Sequence, residues 1–389
     1  MNFKNKVIES IGFNGNPSKF TIAVAMSGGV DSSVTAALLK ECGYNVFGVS
    51  MHLYEEKVEI NNRKTCCAGI DINDAKKVCD TLGVDHYILN YSSKFNDNVI
   101  SDFTESYLRG ETPIPCVKCN QTVKFVDMLN FSKNKGADAL ATGHYIRREV
   151  KEGRPHLYRA NDLSKDQSYF LFTTTYEQLT FLRFPLGDFT KSKIRNLARK
   201  FDLKVADKPD SQDICFVPDG KYSNLVRKLR PESIQSGDIY HVDGTYLGKH
   251  NGIIDYTIGQ RKGIGIGGRK NVPKSETKLY VISIDEKNNK IIVGPKKYLS
   301  CDKFIINDCN WITINNKKKL NALVKLRNSS KPIEATIQMD FEKSTANVKL
   351  KYPEYGISPG QAAVFYDLVD QNHVLGGGWI KSTKNYLNV

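Results

Sequence analysis

Short apolar runs alternate with amphipathic stretches over the first 145 residues of the chain. Four runs have the length and composition of buried strands: Thr21–Met26, Asn45–Ser50, His86–Leu89 and Ala139–Thr142. Apolar residues at helical spacing predict helices over Ser32–Leu39 and Asp71–Leu82. Because strands alternate with helices, the fold class predicted for this part is α/β with a doubly wound parallel sheet.

The hydrophobic pattern changes after about residue 220, where short β-prone runs follow one another between turn signals. The turn signals are Val242–Gly244, Gly263–Gly268 and Asn288–Asn289. Leu279–Ile284 and Lys290–Val293 predict the two arms of a hairpin. Beyond about residue 295, Asn315–Leu320 predicts a loop, and four short runs predict a small all-β barrel or sandwich. These runs are Leu323–Leu326, Ile333–Ile337, Ala346–Leu350 and Ala362–Tyr366.

Two or three domains are expected, because 389 residues are too many for one hydrophobic core, and the pattern along the chain indicates three. The predicted boundaries are 1–220 for the α/β domain, 221–294 for a small central β-rich domain and 295–389 for a C-terminal β-barrel.

Charge adds a possible class of partner to this picture. The net charge is +14, which favours encounter with polyanions such as nucleic acids but also fits Lys-rich solvated faces. No apolar run approaches the ~18–20 residues that span a bilayer, and the N-terminus lacks a signal-peptide pattern, so we expect a cytoplasmic protein without a membrane partner. The nine cysteines are odd in number and scattered, which favours catalysis or metal binding over a disulfide framework.

The stretch Ala25–Ser33 carries the strongest chemical signal. It follows a predicted strand and opens a predicted helix, so glycines at 28 and 29 allow a sharp turn and the helix amides attract an anion. Asp31 is suited to cap the helix or to hold a metal ion bound to phosphates. No Walker lysine is present, so this is not the usual nucleoside-triphosphate loop. A plain Gly-Gly turn with a Ser-rich cap is the alternative.

Two segments place cysteines in settings that favour chemistry. Pro113 and Pro115 delay a helix until Cys116 or Val117, which puts Cys119 in the first helical turn. The helix dipole and Lys118 are then expected to lower the pKa of the Cys119 thiol and make it a nucleophile. The alternatives are half of a metal site, formed by the Cys-x-x-Cys, or two buried structural cysteines. No second Cys-x-x-Cys exists, since Cys66–Cys67, Cys79, Cys301 and Cys309 lack the spacing, so no protein-held metal is predicted.

The second cysteine segment is Lys208–Pro218, in which Pro209 and Pro218 bracket a predicted loop around Cys215. A basic helix is predicted just before it, over Thr190–Phe201. Its cationic residues are predicted to face largely outward, towards a phosphate backbone or towards solvent. They are Lys191, Lys193, Arg195, Arg199 and Lys200.

These motifs carry a family resemblance. The Ser27–Ser32 stretch resembles the PP-loop of enzymes that cleave ATP between the α and β phosphates and place AMP on a carbonyl oxygen. Together with the two cysteine segments, four further stretches resemble the tRNA-specific 2-thiouridylase family over nearly the whole chain. They are Ala141–Tyr145, Lys165–Phe170, Gly259–Gly263 and Ser358–Gln361. That family often has an acidic residue where this chain has Cys116.

The resemblance implies the fold, the reaction and the site residues. It implies a HUP-like domain that adenylates C2 of a tRNA wobble uridine with ATP and Mg²⁺, after which a Cys215 persulfide supplies sulfur with Cys119 as its partner. It implies that Cys119 either releases hydrogen sulfide from the persulfide or resolves a Cys215–C2 adduct; both routes end in a disulfide. Implied partners are glutamate, glutamine and lysine tRNAs and a persulfide donor such as a cysteine desulfurase or a sulfur-relay protein. Implied ATP contacts are Ala25, Met26, Ser27, Gly28, Gly29, Val30, Asp31, Ser32, Met51 and Gly143. Implied tRNA contacts are Ile114, Pro115, Cys116, His144, Lys165, Asp166, Gln167, Arg327, Asn328 and Gln361.

Three other functions stay open at this point. A PP-loop ligase or amidotransferase acting on a small molecule would explain the loop but neither cysteine segment. An RNA-binding protein with a zinc site at the Cys-x-x-Cys would leave the loop unexplained. A tRNA thiolase that uses an iron–sulfur cluster would be brown when purified without oxygen.

Overall fold

The computed structural model describes residues 3–53, 69–210, 214–217, 220–266, 278–313 and 317–383. Several positions named above therefore lie outside the described residues: Cys66–Cys67, Pro218, Gly268 and the beginning of the predicted loop at Asn315.

Helices and strands alternate in the first part of the chain, and strands dominate the rest. The α-helices are α1 (Phe3–Ile11), α2 (Val30–Glu41), α3 (Gly69–Leu82), α4 (Ser92–Phe95), α5 (Ser101–Leu108), α6 (Pro115–Cys119), α7 (Leu129–Asn134), α8 (Tyr176–Phe181), α9 (Lys191–Lys200) and α10 (Tyr222–Leu229). Two π-helical segments, Asn96–Ile100 and Asn120–Met128, connect α4 to α5 and α6 to α7. Short 3₁₀ turns lie at Pro17–Lys19, Ser168–Phe170, Pro231–Ser233, Ile253–Asp255 and Lys296–Leu299.

The strands form three sheets. They are β1 (Thr21–Ala25), β2 (Asn45–His52), β3 (Asp85–Asn90), β4 (Ala139–Ala141), β5 (Ile146–Lys151), β6 (Arg154–Arg159), β7 (Leu182–Arg183), β8 (Gly237–His241), β9 (Tyr246–His250), β10 (Tyr280–Asp285), β11 (Lys290–Gly294), β12 (Ser300–Trp311), β13 (Lys319–Lys325), β14 (Ile333–Asp340), β15 (Thr345–Tyr355), β16 (Ala362–Tyr366) and β17 (His373–Thr383).

The first sheet confirms the predicted doubly wound fold. Its five strands are all parallel, in the order β3-β2-β1-β4-β7. Ile22 and Val24 of β1 pack into one core with α1, α2, α3 and α9, whereas Ala23 packs on the other face with α5, α6 and α7. The order of strands reverses between β1 and β4, and ligands of such sheets bind at the carboxyl ends of the strands at that point.

The central domain is a four-stranded sheet in the order β10-β11-β8-β9. The predicted hairpin is confirmed, because β10 and β11 pair in antiparallel register with Asp285 opposite Lys290. Val281, Ile291 and Ile239 are fully buried and form the small core of this sheet.

The C-terminal domain is a closed antiparallel barrel, as predicted. Six strands run in the order β12-β15-β14-β13-β16-β17, and a β12–β17 pairing closes the sheet. The prediction that Asn315–Leu320 is a loop is wrong at its end, because β13 begins at Lys319. The long strands β12 and β17 were not predicted, since consecutive polar residues break the alternation along β12 and glycines interrupt β17.

A hairpin of the α/β domain extends the barrel sheet. Strands β5 and β6 pair with each other, and β6 pairs with β17, so that Tyr158 lies opposite His373 and Leu157 opposite Val374. The α/β domain and the barrel therefore share one sheet of eight strands. Within the described ranges, no helix is long and apolar enough to cross a membrane.

Candidate active site

The turn between β1 and α2 is shaped by close backbone contacts. Gly28 has φ +68°, and a Cβ there would lie 2.0 Å from the main-chain oxygen of Asp71. Gly29 is the N-cap of α2 in extended conformation and provides no side-chain cap. The Ser32 hydroxyl accepts a 3.2 Å hydrogen bond from the Ser27 amide and so folds the turn over the start of the helix. Amides at a helix start without a side-chain cap are suited to bind phosphate oxygens.

The loop after β4 meets this turn. A Cβ on Gly143 would lie 2.8 Å from the amide nitrogen of Ser32, so only glycine allows the contact. Met51 is buried near the end of β2, next to Ser50, whose hydroxyl donates to the main-chain oxygen of Met26 at 2.8 Å. The predicted ATP residues therefore come from the carboxyl ends of β1, β2 and β4, and Gly143 touches the start of α2. The turn 25–32, Met51 and Gly143 are consistent with one nucleotide site at the switch point of the sheet.

Asp31 is held by side chains that no local motif indicates. Its carboxylate accepts hydrogen bonds from the Tyr145 hydroxyl at 2.7 Å and from the Lys191 amine at 2.8 Å. Lys191 also pairs with Asp210 at 3.0 Å, and Arg195 pairs with Asp210 at 2.8 Å. The prediction that the cationic residues of this helix face largely outward is confirmed for Lys193, Arg199 and Lys200, which are exposed. Lys191 and Arg195 instead pair with carboxylates of the α/β domain.

A second lysine reaches the turn from residue 208. The Lys208 amine donates to the main-chain oxygen of Gly28 at 3.0 Å and pairs with Asp71 at 2.5 Å and with Asp74 at 2.7 Å. The turn between β1 and α2, residues 25–32, lacks a lysine of its own, yet the amines of Lys191 and Lys208 lie beside it; we call it the phosphate turn. The sequence predicted neither contact, because they join residues that are 160 and 180 positions apart.

Lys165 completes the ion-pair group around Asp210. Its amine pairs with that carboxylate at 2.9 Å. Burial raises the pKa of Asp210, but hydrogen bonds from Lys165 and Lys191 outweigh it and bring the pKa to about 2. Ion pairs of Lys191 with both Asp210 and Asp31 thus link the segment that leads to Cys215 to the phosphate turn.

Cys119 lies in a hydrophobic environment. Helix α6 begins at Pro115, one residue earlier than predicted, and Cys119 is its last residue. The Cys119 side chain is 6% exposed, and the half-buried Cys215 packs against the same core. Burial raises the pKa of the Cys119 thiol to about 11, although Lys124 opposes the rise. The predicted lowering of this pKa is therefore wrong, because the thiol is desolvated and Lys118 pairs with Asp102 instead.

The helix that carries Cys119 widens directly after it into the π-helical segment Asn120–Met128. Asn120 is buried, and its amide donates to the main-chain oxygen of Phe170 at 3.4 Å. Its side-chain oxygen is buried without a hydrogen-bond partner. Widened helical turns of this kind occur at functional sites in many proteins, and no feature of the sequence predicted one here.

The barrel forms hydrogen bonds to Thr112, just before the helix that carries Cys116 and Cys119. The Thr112 amide donates to the Pro359 oxygen at 2.8 Å, and the Gln361 side-chain amide donates to the Thr112 oxygen at 2.8 Å. The hydroxyls of Thr112 and Ser358 lie 3.0 Å apart. Gly360 has φ +83°, and a Cβ on it would lie 3.0 Å from the nitrogen and oxygen of Thr112. We call Thr112 together with residues 358–361 the barrel clamp.

The clamp lies beside a cavity of about 180 Å³ between the α/β domain and the barrel. Its lining includes Arg109, Ile114, Lys118, Trp379 and Lys381. The lining also contains the carboxylates of Asp102, Glu111 and Asp308. Arg109 pairs with Glu111 and Lys118 with Asp102, so the positive charges of this cavity are balanced.

The predicted tRNA residues lie in three kinds of environment. Arg327 and Asn328 are exposed in the turn after β13, and Cys116 is exposed on α6. Ile114 is half-buried and Pro115 is buried at the start of α6. The remaining predicted residues make contacts within the protein.

Asp166 and Gln167 belong to this last group. Asp166 is 5% exposed, and its carboxylate accepts hydrogen bonds from the Arg159 guanidinium, the Ala160 amide and the Ser168 hydroxyl. Gln167 accepts a 2.8 Å hydrogen bond from the Tyr145 amide. Both residues therefore shape the segment around Lys165 through contacts inside the protein.

His144 also has a partner inside the protein. Its Nδ1 lies 2.9 Å from the Thr142 hydroxyl. Burial and the positive charge of Lys124 lower the pKa of His144 to about 3, so the ring is neutral at pH 7. In the part of the chain that the structure describes, no group of three His, Cys, Asp or Glu side chains is arranged to hold a metal ion.

Comparisons with known proteins agree with this architecture. Residues 20–219 match the tRNA methyl transferase HUP domain, residues 223–295 the tRNA methyl transferase PRC-barrel domain and residues 301–380 the aminomethyltransferase beta-barrel domain. A protein of Rhodospirillum centenum named tRNA-specific 2-thiouridylase MnmA is 49% identical over 96% of this chain and 94% of its own length. One of the same name from Rickettsia massiliae is 52% identical over 92% of this chain and 96% of its own length.

A solved structure, the U34-tRNA thiolase NcsA from Methanococcus maripaludis with its [4Fe-4S] cluster, is 20% identical to this chain. The match covers 59% of this chain and 72% of that chain, with a TM-score of 0.37.

Proposed function

The chain belongs to the tRNA-specific 2-thiouridylase family, and from this premise we propose that it thiolates C2 of the wobble uridine of tRNA in the cytoplasm. ATP with Mg²⁺ is the activating substrate, and AMP and pyrophosphate are released. The uridine C2 oxygen is a poor leaving group, and its adenylation turns it into a good one.

One observation carries the proposal: a single short segment joins the phosphate turn to the cysteines. Lys208 binds the Gly28 oxygen, and Asp210 binds Lys191, which holds Asp31. Cys215 follows Asp210 by five residues and packs against the core that contains Cys119. An extended chain of five residues spans at most about 18 Å. This limit ties Cys215 to the neighbourhood of the turn, which supports a nucleotide on the turn and a persulfide on Cys215 acting on one tRNA base.

The chain's own residues would perform distinct tasks in this reaction. The amides of residues 27–32 bind phosphate, and Gly143 and Met51 lie towards the adenosine. Cys215 is half-buried and receives a persulfide from a donor such as a cysteine desulfurase or a sulfur-relay protein. The buried Cys119 then either attacks that persulfide or resolves a Cys215–C2 adduct, and either route leaves a Cys119–Cys215 disulfide.

The tRNA would lie across the exposed positions of the site. Arg327 and Asn328 on the barrel and Cys116 on α6 are accessible. Ile114 and Pro115 border the wobble base, which an anticodon loop presents unstacked. Glutamate, glutamine and lysine tRNAs are the proposed substrates, and the net charge of +14 favours their capture.

The test is thiolation of unmodified tRNA by the full-length protein with ATP, Mg²⁺ and a persulfide donor. Mass spectrometry of the digested nucleosides detects 2-thiouridine. We expect it with the wild type and with Cys309→Ser, a matched substitution of a half-buried cysteine in the barrel, and not with Cys215→Ser. A wild type that consumes ATP and leaves every uridine unmodified would instead support a ligase acting on a small molecule.

A further inference from the structure

The three cysteines of the site differ in their access to solvent. Cys116 is exposed, Cys215 is half-buried and Cys119 is 6% exposed. Cys119 shares helix α6 with Cys116 and lies in the core against which Cys215 packs. The buried sulfur thus has a surface thiol on its own helix and a half-buried thiol against its core.

The spacing of Cys116 and Cys119 permits a disulfide. They are three residues apart in an α-helix, so their side chains lie on one face. Helix geometry puts two such Cα atoms about 5 Å apart, which lies inside the range of roughly 4.4–6.8 Å that disulfides bridge.

The proposed reaction ends in a Cys119–Cys215 disulfide that must be reopened before another persulfide is loaded. A protein reductant has no direct approach to the sulfur of Cys119, because that side chain is buried. An exchange that keeps Cys119 in a disulfide and releases Cys215 moves the bond to a pair whose other sulfur, that of Cys116, is exposed to a reductant.

We propose that Cys116 is a resolving thiol that transfers the disulfide from the buried site to the protein surface. This inference rests on the proposed function. The Cys116 thiolate attacks the Cys119 sulfur of the Cys119–Cys215 disulfide. A Cys116–Cys119 bond forms, the Cys119–Cys215 bond breaks, and Cys215 leaves as a thiolate that takes up a proton. A thiolate of a dithiol protein reductant then attacks the exposed Cys116 sulfur, and Cys119 leaves and takes up a proton. The second thiol of the reductant displaces Cys116, so the reductant carries away the disulfide and Cys116 is a thiol again.

The chain itself makes the exchange simple to map. Trypsin cleaves after Arg109, Lys118 and Lys124 and does not cleave before Pro209, so the three cysteines fall on separate peptides. Cys116 lies on 110–118, Cys119 on 119–124 and Cys215 on 205–221, while Cys66 and Cys67 share 65–76.

The experiment oxidises full-length protein by two electrons in two ways, alkylates free thiols and maps the disulfide without reduction. One sample undergoes a single turnover with persulfide and tRNA, and the other receives one equivalent of a disulfide oxidant. In the wild type we expect peptide 110–118 linked to peptide 119–124, which reports a Cys116–Cys119 disulfide. In Cys116→Ser we expect peptide 119–124 linked to peptide 205–221, which reports a Cys119–Cys215 disulfide. With a protein dithiol as reductant, turnovers after the first should be slower in this variant by about tenfold or more relative to the first turnover. A small dithiol should restore their rate.

Two controls separate the possible outcomes. Cys116→Asp restores the family's common acidic residue, and it should fail in the same way as Cys116→Ser if the thiol is what matters. Nucleoside analysis of the turnover sample reports 2-thiouridine, so a failure of the proposed function is seen separately, and the chemically oxidised sample still decides the exchange.

Several results would overturn the proposal. One is a wild type whose link joins 119–124 to 205–221 while Cys116 is alkylated, or whose link involves 65–76. Another is a Cys116→Asp variant that recycles as the wild type does. A third is an iron–sulfur absorption band in protein isolated without oxygen that Cys116→Ser abolishes, which would assign the thiol to a cluster.

Discussion

The side-chain amide of Gln361 donates a 2.8 Å hydrogen bond to the main-chain oxygen of Thr112, across 249 positions of the chain. This bond joins the barrel to the residues that immediately precede Cys116 and Cys119. The position of the cysteine helix therefore depends on the C-terminal domain, although the phosphate turn lies entirely in the α/β domain.

Gly360→Ala should separate thiolation from nucleotide binding. A Cβ at position 360 would press on Thr112 and move α6, so we expect the turnover rate of thiolation to fall about tenfold or more, with the KM for ATP nearly unchanged. Gly244→Ala is the matched control, because Gly244 has φ +88° but nothing within 4 Å of its added Cβ. Steady-state kinetics of both variants give the answer. Equal losses in the two would mean that the barrel clamp does not position the cysteines.

Lys191→Met should impair adenylation. The change leaves the Asp31 and Asp210 carboxylates without their shared cation and removes positive charge from the phosphate turn. We expect tRNA-dependent formation of AMP to fall by about tenfold or more. Lys193→Met removes an exposed lysine from the same helix and should have little effect. If the two variants form AMP at the same rate, the Asp31–Lys191 pair has no part in the first step.

Alkylation of Cys119 should rise steeply with pH. Since its pKa is about 11, the thiolate fraction increases about tenfold per pH unit between pH 7 and 10. Lys124 lowers this pKa, so Lys124→Met should slow alkylation at neutral pH, whereas Lys118→Met should not, because Lys118 pairs with Asp102. The measurement is the rate of iodoacetamide labelling of Cys119, which lies on peptide 119–124 in the wild type, on 119–133 in the Lys124 variant and on 110–124 in the Lys118 variant. Fragmentation of 110–124 distinguishes labelled Cys119 from labelled Cys116. A rate that levels off near pH 8 would contradict the high pKa.

His144 should make the protein less stable in acid. Its pKa is lowered to about 3 in the folded state, so the unfolded chain binds a proton first as the pH falls below 6.5. The stability gained from a neutral His144 is complete above that pH and is lost at about 1.4 kcal/mol per pH unit on the way down to pH 3. Melting temperatures at pH 7.5 and pH 5 should therefore differ more for the wild type than for His144→Gln. An equal drop in both proteins would show that His144 is accessible and protonated.

Local sequence patterns predicted four of the five strands of the parallel sheet and the glycine turn between β1 and α2. The core of β1 is an apolar run, and the turn after it needs a left-handed backbone at Gly28. Residues that are adjacent in the sequence indicate both features. The hairpin β10–β11 was predictable for the same reason, since its turn and both arms are contiguous.

Features that depend on distant contacts were not predictable. Nothing in the sequence around Lys191 shows that Asp31 accepts its charge, and nothing around Cys119 shows that residues of other elements bury it. The pKa of Cys119 was predicted in the wrong direction because the local helix and Lys118 were weighed without that burial. Strand β12 escaped prediction because the polar pairs Asp302–Lys303 and Asn307–Asp308 break its alternation, and the register of β12 shifts at both places.

The pairing of β6 with β17 has a consequence for dissecting the molecule by truncation. A fragment ending before the barrel would leave β6 with an open edge and would uncover the apolar side chains of Leu157 and Tyr158, which are buried in the intact chain. Unpaired strand edges recruit other chains. We therefore expect the α/β domain on its own to aggregate. Aggregation alone would explain a loss of thiolation in such a fragment, so that loss would not show that the barrel recognises RNA.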